Sequence, residues 1–198
     1  MDATTRNPTG FAIVGIAAAL LFAVLWTVAA KADPSWVFGE NTLSDLGVSD
    51  VRMSACMFNY GCVVTGALVL VFGAGKALCE TGYSRGSGAL IAVAGAFLLL
   101  VGVFNKDYGN GDPHLFVAYA FFLFLVLAAL FSILGDAAEE RRLNACVTGA
   151  LIALCIAVAA GNTLAYTEAV TVACGLVWIA AESAKMLVGP GKAAALTC

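Results

Sequence analysis

Charge is scarce in this chain. Asp, Glu, Lys and Arg make up 12% of its 198 residues and leave a net charge of only −3, where a soluble domain carries about a quarter charged residues. No basic run follows the spacing of a phosphate backbone, so nucleic acid is excluded as a partner. Histidine is scarcer still: His114 is the single one, which leaves no bis-histidine haem pair within one chain. No lysine is expected mid-helix to hold a retinal. H-E-x-x-H, the Walker A loop and G-x-S-x-G are missing, as is the row of membrane-centre acids that a proton or cation pump uses. The seven cysteines contain no C-x-x-C and fall mostly in apolar runs, where Cys serves as a small hydrophobe. Neither a disulfide framework nor a metal site is indicated, and no cofactor is expected.

What is abundant is apolar surface, at 62% hydrophobic residues and a mean hydropathy of +0.95. Crossing a hydrocarbon core takes about 20 mainly apolar residues. The sequence therefore predicts an all-α polytopic membrane protein, one domain over 1–198, with six transmembrane helices in three hairpins. The helices are expected at 10–30, 51–74, 87–104, 114–134, 144–162 and 168–188. The first run ends in Ala30-Lys31-Ala32, a superficial cleavage site, but its apolar core is longer than a signal sequence needs and is read as a retained helix. Gly73-Ala74-Gly75 is expected to end helix 2, and Ser49 or Asp50 to cap its start. Gly88, Gly95 and Gly102 stand seven apart on helix 3, and Gly149, Ala153, Ala157 and Gly161 four apart on helix 5. Both spacings predict smooth faces where another helix approaches closely. Asp112 is the expected N-cap of helix 4, followed by Pro113 at its first position. A tight turn at 163–167 makes helices 5 and 6 antiparallel neighbours.

Six helices put both termini on one side. The terminal tails with the 2–3 and 4–5 links hold Arg6, Lys76, Arg85, Arg141, Arg142, Lys185 and Lys192, seven cations, against Lys31, Arg52 and Lys106, three, elsewhere. Cytoplasmic loops carry the excess of Lys and Arg, so both termini are expected in the cytoplasm of a cell-membrane protein. The 1–2, 3–4 and 5–6 loops then share the outer face, and with them Asn41, Ser44, Asp45, Asn105, Asp107, Asp112, His114 and Glu168.

The stretch 104–114 is the most polar segment between the two most apolar runs, and it ends at His114. In a helix first turn a neutral imidazole can act as a base or a ligand, with Asp107 or Asp112 as its orienter. Ser44 and Asp45 could meet it if the 1–2 loop folds over helix 4, giving Ser44 a role as nucleophile or hydrogen-bond donor. The plainer alternative is a histidine bonded to a loop carbonyl, with Asn41, Ser44 and Asp45 forming turns that satisfy backbone groups near the membrane. Glu168 reads as the cap of helix 6, Glu182 as an ion pair with Lys185, and Asn59 and Asn162 as interhelical hydrogen-bond donors.

Two blocks carry a resemblance: Asn41-Thr42-Leu43-Ser44-Asp45-Leu46-Gly47, and Phe104 to Asp107 followed by His114 and the aromatic run Phe116, Tyr119, Phe121, Phe122. In their order and six-helix layout, over about 10–188, the chain resembles the domain of unknown function 998 family of small, mostly archaeal and bacterial membrane proteins. That family brings no established reaction. More distantly it is similar to the eukaryotic Frag1/DRAM/Sfk1 group, through Ser44-Asp45-Leu46-Gly47 and Asp107 with His114, although Val51-Arg52 stands where that group has Pro-Glu. Some of that group act in lipid handling, so the resemblance implies an outer-leaflet lipid or headgroup as client.

The expectation is an outer-face polar pocket that binds or modifies a lipid or its headgroup, with Ser44, Asp45, Asp107 and His114 as catalytic candidates. Asn41, Asn105, Asp112 and Glu168 are the candidate ligand-binding residues. The alternative is a non-enzymatic accessory subunit, docking other membrane proteins or itself through its small-residue faces.

Overall fold

A computed structural model of the chain describes residues 8–192, with side chains over 8–188. Arg6, Cys198 and the side chain of Lys192 lie outside the described residues. The helices are α1 (Pro8–Ala32), α2 (Arg52–Cys79), α3 (Gly82–Val103), α4 (Asp112–Ala138), α5 (Arg142–Gly161) and α6 (Leu164–Lys192), with 3-10 turns at Leu43–Val48 and Tyr108–Gly111. All six long helices are apolar enough over a sufficient length to span a membrane. Where no water reaches the backbone, a helix satisfies its own amides, which is why apolar runs of this length take no other form. The protein is a multi-pass membrane protein.

Each helix packs on its neighbour in sequence, and α6 returns to α1, so the six close into a ring. The 1–2, 3–4 and 5–6 connections lie together at one end, here termed the loop face. The 2–3 and 4–5 links, with the start of α1 at Pro8 and the end of α6 at Lys192, make the terminal face. The tightest contact joins α2 and α3. A Cβ on Gly66 or Gly73 would strike the α3 backbone at Leu99 or Ala92, and one on Gly88 or Gly95 would strike the α2 backbone at Ala77 or Leu70. Backbones this close need glycine on both sides. The expected stripe on α3 is therefore real, and its partner is a second seven-residue glycine repeat on α2.

Several expected boundaries shift. Gly73-Ala74-Gly75 does not end α2, which continues to Cys79, because those glycines serve interhelical contact: Gly73 meets α3 and Gly75 meets the Phe11 ring. Val51 occupies the N-cap of α2, while Ser49 Oγ accepts the Val51 N–H at 3.1 Å. Gly111, in the left-handed region at φ 86°, caps α4, and Asp112 is already helical. The α5–α6 turn shrinks to Asn162 and Thr163, because α6 begins at Leu164. The small-residue face of α5 is open at both its glycines among the described residues: Gly149 and Gly161 have no neighbour within 4 Å of a Cβ position.

The terminal face holds a network that the sequence did not reveal. Lys76 on α2 pairs with Glu80 (2.5 Å) and with Glu182 on α6 (3.1 Å). Lys185 joins Glu182 (2.5 Å) to Asp136 on α4 (2.8 Å), and Arg141 closes the network on Asp136 and Glu139. Lys76, Glu182 and Asp136 are each at most 1% exposed. The expected Glu182–Lys185 pair is present, as one edge of a network spanning three helices.

Candidate functional site

On the loop face the 1–2 loop folds inward over the ring. Trp36 Nε1 donates to the Thr42 carbonyl (2.9 Å), and Asn59 Nδ2 on α2 donates to the Gly47 carbonyl (2.8 Å). Asn59 thus ties a loop to a helix rather than joining two helices, and Asn162 bonds back to the Val158 carbonyl of its own helix. Leu43 and Leu46 are buried beneath the loop, and this apolar insertion fixes the 3-10 turn with its polar side chains facing α6 and the 3–4 loop.

Two clusters result. In the first, Ser44 Oγ donates to Glu168 Oε1 (2.8 Å), and the Leu43 N–H donates to Oε2 (3.0 Å). Glu168 is therefore no cap. Since α6 starts four residues earlier, its carboxylate turns inward, one helical turn below the end, and holds the 1–2 loop. In the second cluster Lys106 Nζ donates to Thr42 Oγ1 and Asp45 Oδ1, both at 2.6 Å, while the Thr42 N–H donates to Asp45 Oδ2 (2.7 Å). Burial pushes the Asp45 carboxyl up. The hydrogen bonds from Lys106 and Thr42, with the lysine charge, outweigh it and hold the group below the usual carboxylate range. Asp33, at the start of the same loop, is lowered by hydrogen bonds from Ser35 and Ser49.

His114 is buried, and its Nδ1 lies 2.7 Å from the Phe104 carbonyl oxygen. A carbonyl only accepts, so Nδ1 carries a proton, and in the neutral ring the lone pair is then on Nε2. The bond satisfies a carbonyl left orphaned by the end of α3. Asp45 and Lys106 lie within electrostatic reach of the ring.

The other candidates divide. Asp107 is exposed, with its N–H bonded to Asn105 Oδ1 (3.2 Å), and Asp112 is exposed in the first turn of α4, so no carboxylate orients His114 by a hydrogen bond. Asn41 Oδ1 accepts the Val37 N–H (2.9 Å) and shapes a turn. Ser44 is paired with Glu168, not with His114, so the arrangement holds no Ser–His pair. Lys106 and Thr42, missed in the sequence, are central to the roof. The signal was a lone lysine inside the most polar loop.

Beneath this roof the ring encloses a cavity walled by α1, α2, α3, α4 and α6, which offers about 60 Å³ to the centres of water-sized molecules. Its walls are apolar, with Phe22, Phe58, Leu98, Phe121 and Leu176 prominent, and Ser44 and Glu168 stand at its loop-face end. Thr65 also lines it, 1% exposed, and its Oγ1 has no hydrogen-bond partner. A second crevice of about 150 Å³ runs under α5 and adjoins the first at Leu125 and Gly175.

Fold and site define a class: a six-helix multi-pass membrane protein whose polar roof of loops closes over an apolar chamber inside the helix ring. Within that class the chain belongs to the family described as protein of unknown function (DUF998), which matches residues 16–185. No curated protein and no solved structure matches it.

Proposed function

We propose that the protein binds a membrane lipid, with the head at the Ser44–Glu168 roof and the hydrocarbon in the cavity below. One observation carries the reading: a polar pair built from two distant segments stands at the end of an apolar chamber in the helix ring. Small-molecule sites combine apolar walls with a few convergent polar groups in this way. The excess of Lys and Arg on the terminal face favours cytoplasmic termini, so the roof faces the outer leaflet. In a reaction on the head, Ser44 with Glu168 is the pair in position, and His114 acts through the 3–4 loop.

The test is mass spectrometry of lipids that co-purify with wild type, Val172→Trp and His114→Ala, each checked for equal thermal unfolding. Val172 lines the cavity, and an indole there fills it. A specific lipid present in wild type and lost from Val172→Trp is the expected result. The same bulk lipid in all three proteins overturns the reading. The accessory-subunit alternative draws on the unpacked glycine face of α5 and predicts that same flat lipid profile, with a protein partner lost in Gly149→Leu.

A further inference from the structure

A lipid held in the chamber has to enter it, and the helix ring is weakest along one seam. The chamber is walled by α1, α2, α3, α4 and α6. Among the described residues each of these packs closely on the next, α6 on α1 included, with the exception of α4 and α6. Between those two stands α5, which lines none of the chamber.

Both α4 and α6 run from the loop face to the terminal face. Near the terminal face polar side chains pin them together: Ser132 Oγ donates to Glu182 Oε1 at 2.6 Å, and Lys185 Nζ to Asp136 Oδ2 at 2.8 Å. Farther up, Leu125 of α4 lies against Gly175 of α6, with its Cδ2 3.2 Å from where a Cβ on the glycine would stand. The glycines of the α2–α3 contact face backbone, which cannot yield. Gly175 faces only the end of one side chain, which turns about its own χ angles.

The same two residues separate two spaces. Leu125 and Gly175 line both the chamber and the crevice of about 150 Å³ under α5. Val126 and Ile156 also line that crevice and are 43% and 65% exposed, so it reaches the surface that the bilayer covers. Opening the ring elsewhere breaks more. Lifting the roof disrupts the bonds of Glu168 to Ser44 and Leu43, of Asn59 to Gly47 and of Lys106 to Asp45. The seam needs one apolar side chain to swing into a space that already lies beside it.

We propose that the α4–α6 seam is the lateral entry of the chamber and that Leu125 is its latch: when Leu125 swings off Gly175 into the crevice, lipid hydrocarbon slides in sideways from the bilayer. It rests on the lipid reading above, and the depth of the latch suits it. The chamber lining runs from Ala118 to Leu125 on α4 and from Glu168 to Gly175 on α6, in each case about 10 Å at 1.5 Å per residue. A head kept at the level of Ser44 and Glu168 thus has its hydrocarbon beside the seam.

The experiment uses the full chain in nanodiscs and a diazirine-bearing hexadecane, a probe with no head to be selected. The probe is added at time zero and flashed at increasing delays, and adducts are mapped by mass spectrometry. Adducts on Phe58, Thr65 and Leu98, which line the chamber and not the crevice, report entry. Those on the exposed Leu20 and Phe116 report arrival in the bilayer. Wild type, Leu125→Ala, Gly175→Val and the roof variant Asn59→Ala are compared after a check of thermal unfolding, each rate being taken against that protein's own final yield. Gly175→Ala, whose Cβ presses on Leu125, stands in if the valine prevents folding.

Leu125→Ala is expected to speed chamber labelling by about two- to tenfold, the scale of forcing one side chain off its rotamer. The substitution at Gly175 is expected to slow it, and Asn59→Ala to leave it unchanged. Equal rates in wild type and in the Leu125 and Gly175 variants, or acceleration in Asn59→Ala alone, overturn the latch and leave the lipid reading standing. No chamber adduct at any delay in wild type overturns both.

Discussion

Replacing Lys76 by methionine is expected to cost far more stability than replacing Glu182 by glutamine, although the two are partners. The terminal-face network holds three cations, Lys76, Lys185 and Arg141, against four anions, Glu80, Glu182, Asp136 and Glu139. Lys76→Met leaves two cations against four anions. Glu182, 1% exposed, then depends on Lys185 alone, which it shares with Asp136. Breaking a buried pair from one side costs about 3–5 kcal/mol, and the surviving Lys185 contact places this case near about 3 kcal/mol. Glu182→Gln leaves three against three. Lys76 keeps Glu80 at 2.5 Å, and the amide oxygen still accepts from Ser132 Oγ, which now donates to Glu182 at 2.6 Å. The expected cost is about 1 kcal/mol. A difference of about 2 kcal/mol is roughly a 30-fold difference in the unfolding constant, measurable by reversible unfolding in mixed micelles. Equal losses, or a larger loss for Glu182→Gln, would refute the charge count as the source of the effect.

Three other outcomes follow from the geometry. Gly66→Ala, which drives a Cβ into the α3 backbone, is expected to cost about 1–3 kcal/mol. Gly149→Ala meets nothing within 4 Å and should stay within about 0.5 kcal/mol; the same unfolding assay compares them, and equal effects would contradict the packing. Glu168→Ala strips the buried Ser44 hydroxyl and the Leu43 N–H of their acceptor, so hydrogen exchange over 42–48 should accelerate, while Glu168→Gln leaves it near wild type. Asp45 titrates below its ordinary value of about 3.9, so it binds fewer protons folded than unfolded. Its contribution is complete above the unfolded value and is lost as pH falls through the lowered folded one. The stability gap between wild type and Asp45→Asn should therefore be flat from pH 7 to about 5 and narrow as pH falls below about 4. A gap that widens on acidification would mean the Lys106 bond does not govern this carboxylate.

The readability of the chain follows from the range of each interaction. Helix existence and number depend on runs of apolar residues, a local property, and all six were legible. Helix ends were less so, because a glycine that ends a helix in water can continue one in lipid when a neighbour takes up the space it leaves. Gly73 and Gly75 did so against α3 and Phe11. The α3 stripe was visible as a period of seven, yet the same spacing logic on α5 found no partner for Gly149 or Gly161 among the described residues. Periodicity describes a surface and is silent on what covers it.

The sequence alone determined the membrane class, the six spans and the common face of the 1–2, 3–4 and 5–6 loops, and it left His114 two roles, of which the carbonyl bond was the plainer. Tertiary structure decided the pairings. Ser44 met Glu168 across 124 residues, Asp45 met Lys106 across 61, and Lys76 met Glu182 between the ends of α2 and α6. Charges so few, in a medium that penalises each unpaired one, are drawn together from distant segments. The two pairings made by Glu168 and Glu182 depend on α6 returning to α1, a contact that no local pattern encodes.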